Sequence, residues 1–281
     1  MVDYMRVYVN LDTILLAEVM INFIKSIRNE FSLCPTNFIS LPHLSFELML
    51  KSTGCRLEQI SDAEMCFMTE SNIRGGVSFV ASRHINVAQA LNECLVYVDA
   101  NNLYGLAQSC LMPYSEFTWL SDLEYNLIDW STINTEGDRG YILTVDLEYP
   151  PELHELHDSL PLAPESLNIF YQDLSPYSQE VLKTFDGEKK AKKYKSQKLS
   201  ATFNERKEYV VHFATLKYYL SKGMKLKKIH NCYGFRQVDF IRPFIEEISK
   251  KRAQATNDFH KSMYKLIINS IYGKRGFEIL T

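Results

Sequence analysis

The sequence contains no long apolar run, no regular cysteine pattern and no large net charge. Its 281 residues include no stretch of 18 or more apolar residues, and the N-terminus has no basic region leading into an apolar core with a cleavage site. We therefore predict neither a membrane span nor a signal peptide. The net charge of −3 excludes binding to nucleic acid through overall charge. Any contact with phosphate must come from a local patch.

The cysteines form no Cys-x-x-Cys pair, and their spacing is irregular. This pattern favours reduced, mostly buried thiols over a disulfide framework or a zinc site. It predicts an intracellular protein, in the nucleus or the cytoplasm and not secreted. The six cysteines are Cys34, Cys55, Cys66, Cys94, Cys110 and Cys232.

Hydrophobic periodicity and capping residues predict a mixture of helices and strands. The predicted helices cover residues 11–29, 208–222, 243–255 and 257–272, with two shorter helices, one capped by Ser45 and ending at Gly54 and one starting from a capping box at Ser61–Glu64. The predicted strands cover residues 77–82, 94–99, 141–148 and 224–230.

The first candidate site is Asp99, which ends the apolar run at 94–98. A carboxylate at the tip of a buried strand is where two-metal phosphoryl-transfer enzymes place a magnesium ligand. Without further context, an ordinary residue that caps the next turn is the more common interpretation. The residues that follow it, Asn102-Leu103-Tyr104-Gly105, favour the metal-binding role.

The second candidate site is one face of the last predicted helix. At 100° per residue, the polar and apolar side chains of residues 261–272 separate onto opposite faces. Such a pattern is typical of a solvated amphipathic helix, but two ammonium groups on one face also suit phosphate binding. The polar face carries Lys261, Lys265, Asn269 and Tyr272, and the apolar face carries Ile267, Ile268 and Ile271.

A basic stretch lies at 183–207, where nine lysines and arginines face three acids, which leaves a charge of +6. A solvated loop and a phosphate-contacting surface are both consistent with it. Its central lysines are Lys189, Lys190, Lys192, Lys193 and Lys195.

The strings Tyr97–Gly105 and Lys265–Gly273 resemble motifs A and B of the family B DNA polymerases, in the right order and 166 residues apart (265 − 99). The whole chain is similar to the protein-primed group of organellar, viral and virus-like transposon (Polinton-type) polymerases. The resemblance implies template-directed DNA synthesis by two-metal deoxynucleotidyl transfer. Its implied cofactor is Mg²⁺, with two ions, and its implied partners are a DNA primer-template, a deoxynucleoside triphosphate and a terminal priming protein, with no membrane.

The resemblance also implies residue roles. Asp99 would bind the metals, joined by the carbonyl of Ala100, and Tyr104 would stack under the nucleotide sugar and exclude a 2′-hydroxyl group. Lys265, with Lys261 beside it, would neutralise the triphosphate. The nascent base pair would be lined by Asn269 and Tyr272, and Gly273 would let the chain pass close to DNA.

Three further segments take roles from the same resemblance. Tyr8 and Asp12 match the last motif of a 3′–5′ exonuclease, here expected to be inert. Arg74, Gly75 and Gly76 fit a loop that touches the template backbone, although Ile73 replaces the usual tyrosine and a plain β-turn fits the segment equally well. The basic stretch falls in the insertion that contacts the terminal protein and the primer-template.

The implied fold class is α+β, a partial right-hand polymerase with the C-terminal remnant of an RNase H-like exonuclease domain. Motif C and the thumb would follow motif B but are not in the sequence, so we expect the chain to hold its metals incompletely and to be inactive alone. The alternative is a non-catalytic nucleic-acid-binding remnant of a decayed or domesticated transposon polymerase. The predicted parts are 1–35, end of the exonuclease; 36–112, first half of the palm; 113–240, insertion; 241–276, fingers; and 277–281, return to the palm.

Overall fold

The computed structural model describes residues 2–78 and 94–273 and shows the α+β architecture expected from the sequence. The helices are α1 (Val2–Phe31), α2 (Leu41–Thr53), α3 (Ala63–Asn72), α4 (Leu103–Gln108), α5 (Asp122–Asn126), α6 (Pro176–Asp186), α7 (Glu188–Ala191), α8 (Phe213–Ser221), α9 (Arg242–Gln254) and α10 (Asp258–Ser270). The strands are β1 (Met112–Trp119), β2 (Arg139–Glu148), β3 (Glu165–Phe170), β4 (Lys195–Ser200), β5 (Arg206–His212) and β6 (Lys225–Val238).

The chain divides into two compact units, each built from separate segments. The five-part division expected from the sequence stays a prediction. Unit 1 comprises Met1–Glu58, Val98–Tyr114 and Gln237–Thr281, and unit 2 comprises Gln59–Tyr97 and Ser115–Arg236.

Unit 1 is helical, and its core is formed by α2, α9, α10 and the end of α1. Ile27, Leu48, Phe244 and Ile267 are almost completely buried in this core. Local sequence sets the helix ends, because Asn257 caps α10 by accepting a hydrogen bond from the His260 amide. The apolar side of α10 lies in the core, and its polar side is exposed.

Unit 2 is built around an antiparallel sheet with the strand order β1-β6-β2-β5. The central strand β2 pairs with both neighbours, so that Leu143 lies opposite Val211 on β5 and Cys232 on β6. All three side chains are buried in the larger core of this unit. A separate two-stranded ribbon joins β3 to β4.

Helix α1 is exposed over most of its length. Of the helices described, it alone is long and apolar enough to cross a membrane, with a mean hydropathy of 1.6 over an 18-residue window. Its sequence contains no uninterrupted apolar run of that length, because polar residues such as Asp12 and Glu18 lie within it. A helix of this length and composition also occurs in proteins where other segments of the chain cover it. The absence of a membrane partner stays a prediction.

The predicted strand at 94–99 is wrong. Residues 94–100 have no regular secondary structure, and every one of them is exposed. The apolar sequence has strand propensity, but no described strand pairs with it, and an extended segment without a partner forms no ladder. Of the strand predicted at 77–82, Val77 and Ser78 are irregular and the rest lies outside the described residues.

Two helix caps and one helix also differ from the prediction. Ser40, rather than Ser45, caps α2 by accepting from the His43 amide, and Ser45 is buried inside that helix. Asp62, rather than Ser61, caps α3, because its carboxylate accepts from two amides of the first turn. The helix expected at 208–222 is a strand as far as His212 and a helix only after it.

The cysteines are less buried than expected. Cys232 is buried in the sheet, Cys94 and Cys110 are exposed, and the remaining three are half-buried. Cys94 lies in the irregular segment and Cys110 directly after the short helix α4, and neither position offers a core to pack in.

Candidate functional site

The motif A residues lead into the short helix α4 of unit 1. Asp99 is exposed, and Asn102 caps α4 with a left-handed backbone (φ 55°). A Cβ at Gly105 would lie 2.3 Å from the side-chain nitrogen of Asn102, so any larger residue at this position would displace the Asn102 side chain. The same helix carries Tyr104.

Motifs A and B meet at an aromatic stack. The ring of Tyr104 on α4 lies parallel to the ring of Tyr272, just beyond the end of α10, with ring centroids 4.5 Å apart and an interplanar angle of 7°. The hydrogen bond between the two phenols raises the pKa of Tyr272 above its ordinary value. Both side chains are at least half exposed. The pair therefore offers an aromatic surface that a nucleotide can reach.

Gln108 connects the same two helices and was not singled out by the sequence. Its side-chain nitrogen donates to the carbonyl oxygen of Ile268 on α10, at 3.2 Å. The residue is 5% exposed, and its side-chain oxygen is buried without a hydrogen-bond partner. Gln108 lies one helical turn after Tyr104 on α4, but no local sequence pattern marks its hydrogen bond to α10.

The polar face of α10 is exposed, as its sequence pattern predicts. Lys261 and Lys265 are exposed and Asn269 is half-buried, while Ile267 and Ile268 on the opposite face are buried. Lys261 has a partner, since its ammonium group lies 3.7 Å from a carboxylate oxygen of Asp258. The face thus presents positive charge on the helix that leads to Tyr272.

The oxygen donors of Asp99 and of the Ala100 carbonyl are of the kind that Mg²⁺ prefers. Within 2–78 and 94–273, no group of three or more His, Cys, Asp or Glu side chains is placed to hold a metal ion. The residues present therefore fit one carboxylate ligand of a magnesium site and do not make a complete one.

Several other predicted site residues have neighbours within their own unit. A Cβ at Gly273 would lie 3.1 Å from Pro42, so the close approach seen at this glycine is to the chain itself. Tyr8 and Asp12 lie on the exposed part of α1. Arg74 lies over the ring of Tyr209, with its guanidinium carbon 4.0 Å from the ring centroid. The predicted DNA contacts of Gly273 and Arg74 stay predictions.

The glycines after Arg74 are exposed and have open space around them. A Cβ at Gly75 or Gly76 would meet no atom within 4 Å, so packing does not require glycine at either position. Their approach to a template backbone stays a prediction.

The basic stretch is folded rather than a loop. Lys189 and Lys190 lie on α7, Lys192 pairs with Glu188 at 2.8 Å, and Lys195 begins β4. All these lysines, with Lys193, are exposed. They belong to unit 2, whereas the two tyrosines of the stack belong to unit 1.

Two structures of phi29 DNA polymerase are similar to this chain. Its ternary complex with primer-template DNA and incoming nucleotide substrates shares 13% identity at a TM-score of 0.49, over 84% of this chain and 36% of that one. Its binary complex with primer-template DNA shares 13% identity at a TM-score of 0.47, over 85% and 36%. The chain thus spans about a third of the length of these relatives.

No curated protein sequence matches the chain. The family described as "DNA polymerase type B, organellar and viral" matches residues 1–281, the whole sequence. This match does not favour the alternative of a non-catalytic remnant. The chain belongs to the organellar and viral type B DNA polymerases.

Proposed function

We propose that this chain carries the nucleotide-binding part of a DNA polymerase that adds deoxynucleotides to a primer under the direction of a template. The observation that supports the proposal best is the stack of Tyr104 on Tyr272. It brings together two tyrosines that are 168 residues apart in sequence (272 − 104) and that lie in strings matching two motifs of one family. If the two strings matched the family by chance, there would be no reason for their tyrosines to lie in contact.

Each residue has a physical role in this proposal. The Tyr104 ring lies under the sugar, where its bulk leaves no room for a 2′-hydroxyl group. Lys265 places a positive charge near the triphosphate, which is a strong point-charge interaction. Asn269 and Tyr272 lie against the nascent base pair. The lysines at 189–195, and a terminal priming protein, contribute contacts to DNA and its primer.

The reaction is the attack of the primer 3′-hydroxyl oxygen on the α-phosphorus of the nucleotide, with release of pyrophosphate. Magnesium ions, when bound, stabilise the charge on the transferred phosphoryl group. Asp99 and the Ala100 carbonyl would be ligands. Asp99 is the one carboxylate in the two matched strings, whereas a two-ion site needs several. The chain by itself therefore binds nucleotide but extends a primer very slowly or not at all.

Nucleotide affinity of the purified chain tests the binding site. We expect dNTP to bind more tightly than the matching rNTP, and Lys265→Gln to weaken both. Tyr104→Val should narrow the difference between the two sugars, since the ring that excludes the 2′-hydroxyl group is gone. Lys250→Gln is the control, because Lys250 is an exposed lysine of α9 that belongs to neither matched string.

Two results would contradict the proposal. If Lys265→Gln and Lys250→Gln change dNTP affinity equally, the polar face of α10 is not the triphosphate site. If the chain extends a primer with Mg²⁺ and loses that activity in Asp99→Ala, the claim that it is inactive alone is wrong while the site assignment stands.

A further inference from the structure

The ribbon of β3 and β4 presents one exposed face with an unusual set of side chains. Residues directly opposite each other on paired strands share a face, and so do residues two apart on one strand. Phe170 lies opposite Lys195, and Asn168 lies opposite Gln197. All four are exposed, and the ring of Phe170 keeps 42% of its surface accessible. The face thus combines a ring, a cation and two amides.

The ring and the cation lie close enough to act on one ligand. The Lys195 ammonium nitrogen is 5.9 Å from the centre of the Phe170 ring, at the outer limit of a cation–π contact. If a planar group of a ligand stacked on the ring, an anionic group attached next to it would lie within reach of that ammonium. The surrounding stretch 183–207 adds a charge of +6, which draws an anionic polymer towards the ribbon.

An aromatic ring with lysine beside it is the arrangement that binds nucleic acid strands with unpaired bases. A base in a duplex has both faces covered by its neighbours, so Phe170 has no base to stack on there. In a single strand, base faces are free, and so are the base edges that the amides of Asn168 and Gln197 can hydrogen-bond. The chemistry of this face therefore favours a single strand over a duplex.

We propose that the exposed face of the β3–β4 ribbon binds single-stranded nucleic acid by stacking a base on Phe170, with Lys195 on the adjacent phosphate and Asn168 and Gln197 on base edges. This inference deepens the proposed function, on which it rests for the identity of the polymer. It assigns a strand-binding role to residues outside the two matched motifs. The alternative is that this basic surface binds a partner protein instead of nucleic acid.

The test measures the affinity of the purified chain for a fluorescent dT12 oligonucleotide by anisotropy, with an abasic 12-mer of the same charge and a 12-base-pair duplex as competitors. Phe170→Leu should weaken dT12 binding by roughly 10-fold, within the range that a lost base stack costs, and leave the abasic strand unchanged. Lys195→Gln should weaken both strands and lower the slope of log affinity against log salt by about 0.7.

Unit 2 offers a matched control pair on α8. Tyr218 is 50% exposed, and the Lys222 ammonium lies 5.5 Å from its ring centre, which repeats the ring and cation without the amides and the basic stretch. Tyr218→Leu should leave dT12 affinity unchanged. Thermal unfolding of every variant should match the wild type, since the altered side chains are exposed.

The proposal is overturned if Phe170→Leu leaves dT12 affinity unchanged, if it weakens the abasic strand equally, or if the duplex competes better than dT12. It is also overturned if the wild-type chain binds no dT12 at low salt, in which case a partner protein is the better occupant. Nucleotide affinity at the Tyr104–Tyr272 site is measured in parallel. If nucleotide binds but dT12 does not, only this inference fails. If dT12 binds but nucleotide does not, only the proposed nucleotide site fails.

Discussion

At the scale of single residues, His212 shows how burial couples charge to stability. It caps α8 in unit 2, where its Nδ1 accepts a hydrogen bond of 3.4 Å from the Ala214 amide. Burial lowers its pKa from 6.5 to about 4. A protonated ring could not accept that hydrogen bond, so the cap and the burial both favour the neutral form.

Because of His212, we expect the folded protein to lose stability in mild acid. The pKa is lower in the folded than in the unfolded state, so the unfolded state binds the proton first, and stability falls as the pH drops from about 6.5 towards 4. Between pH 7 and pH 5 the expected loss is about 2 kcal/mol, measured by denaturant unfolding. This window lies above the ordinary pKa values of the carboxylates, whose titration would otherwise add to the effect.

Two substitutions check the assignment. His212→Asn keeps a side-chain acceptor at the cap but does not titrate, so the difference between pH 7 and pH 5 should largely disappear. His43→Asn, at a half-buried position on α2, should keep the pH dependence of the wild type. An unchanged pH dependence in His212→Asn would rule His212 out as its source.

At the scale of elements, the sequence predicted best where caps and periodicity agree. α9 and α10 follow the prediction within two residues, because Pro243 and Asn257 mark their starts and apolar spacing continues through each helix. β2 and β6 were both identified, although β6 continues to Val238, eight residues beyond the predicted end. β5 was taken for helix, because three consecutive buried residues, Tyr209–Val211, fit a helix as well as a strand paired inside a sheet.

The sequence predicted which residues form the candidate site, through the two matched strings, but it did not predict the contacts between them. Tyr104 and Tyr272 were assigned to one nucleotide by resemblance, but their stack depends on how α4 packs against α10, which no local pattern encodes. Gln108 was missed for the same reason, because its hydrogen bond to the Ile268 carbonyl joins positions 160 residues apart. The segment at 94–99 failed as a strand because a strand depends on its partner as well as its own sequence.

Gln108 carries a prediction about the link between α4 and α10. Gln108→Glu should destabilise the protein at pH 7 by about 1–3 kcal/mol, because a carboxylate cannot donate to the Ile268 carbonyl and is costly to bury. At pH 5 the difference from the wild type should shrink, since a protonated carboxyl donates as the amide did. Denaturant unfolding of both proteins at each pH measures this.

A methionine provides the control for Gln108. Gln108→Met has a similar size and removes the unpartnered side-chain oxygen together with the donor, so it should cost less than Gln108→Glu at pH 7 and show no recovery at pH 5. If the glutamate variant is as stable as the wild type at pH 7, the Gln108 hydrogen bond does not hold the two helices together.

At the scale of the whole molecule, the longest run of exposed apolar side chains in residues 2–78 and 94–273 lies on α1. Thirteen large apolar side chains between Val2 and Ile21 are each at least 44% exposed. A second, smaller run lies at Leu95–Val98, also largely exposed. Apolar surface on this scale marks an interaction site or drives association. Apolar side chains cover most of the circumference of the helix, while Asp3, Arg6, Asn10 and Thr13 share the remaining side. Polar substitution within the apolar part can therefore weaken association without disturbing the buried end at Ile27.

We expect the chain to self-associate at micromolar concentration, mainly through α1, and sedimentation velocity measures this. Replacing Leu11, Leu15 and Val19 with glutamine should raise the monomer fraction, because these residues share one side of the helix. A control triple replacement at scattered exposed leucines should leave association unchanged; these are Leu123, Leu127 and Leu160. If the α1 variant still associates and Tyr97→Lys abolishes association, the irregular segment at 94–100 is the surface through which the chain self-associates. A monomeric wild type would contradict both, and would mean that exposed apolar area on α1 is tolerated in water.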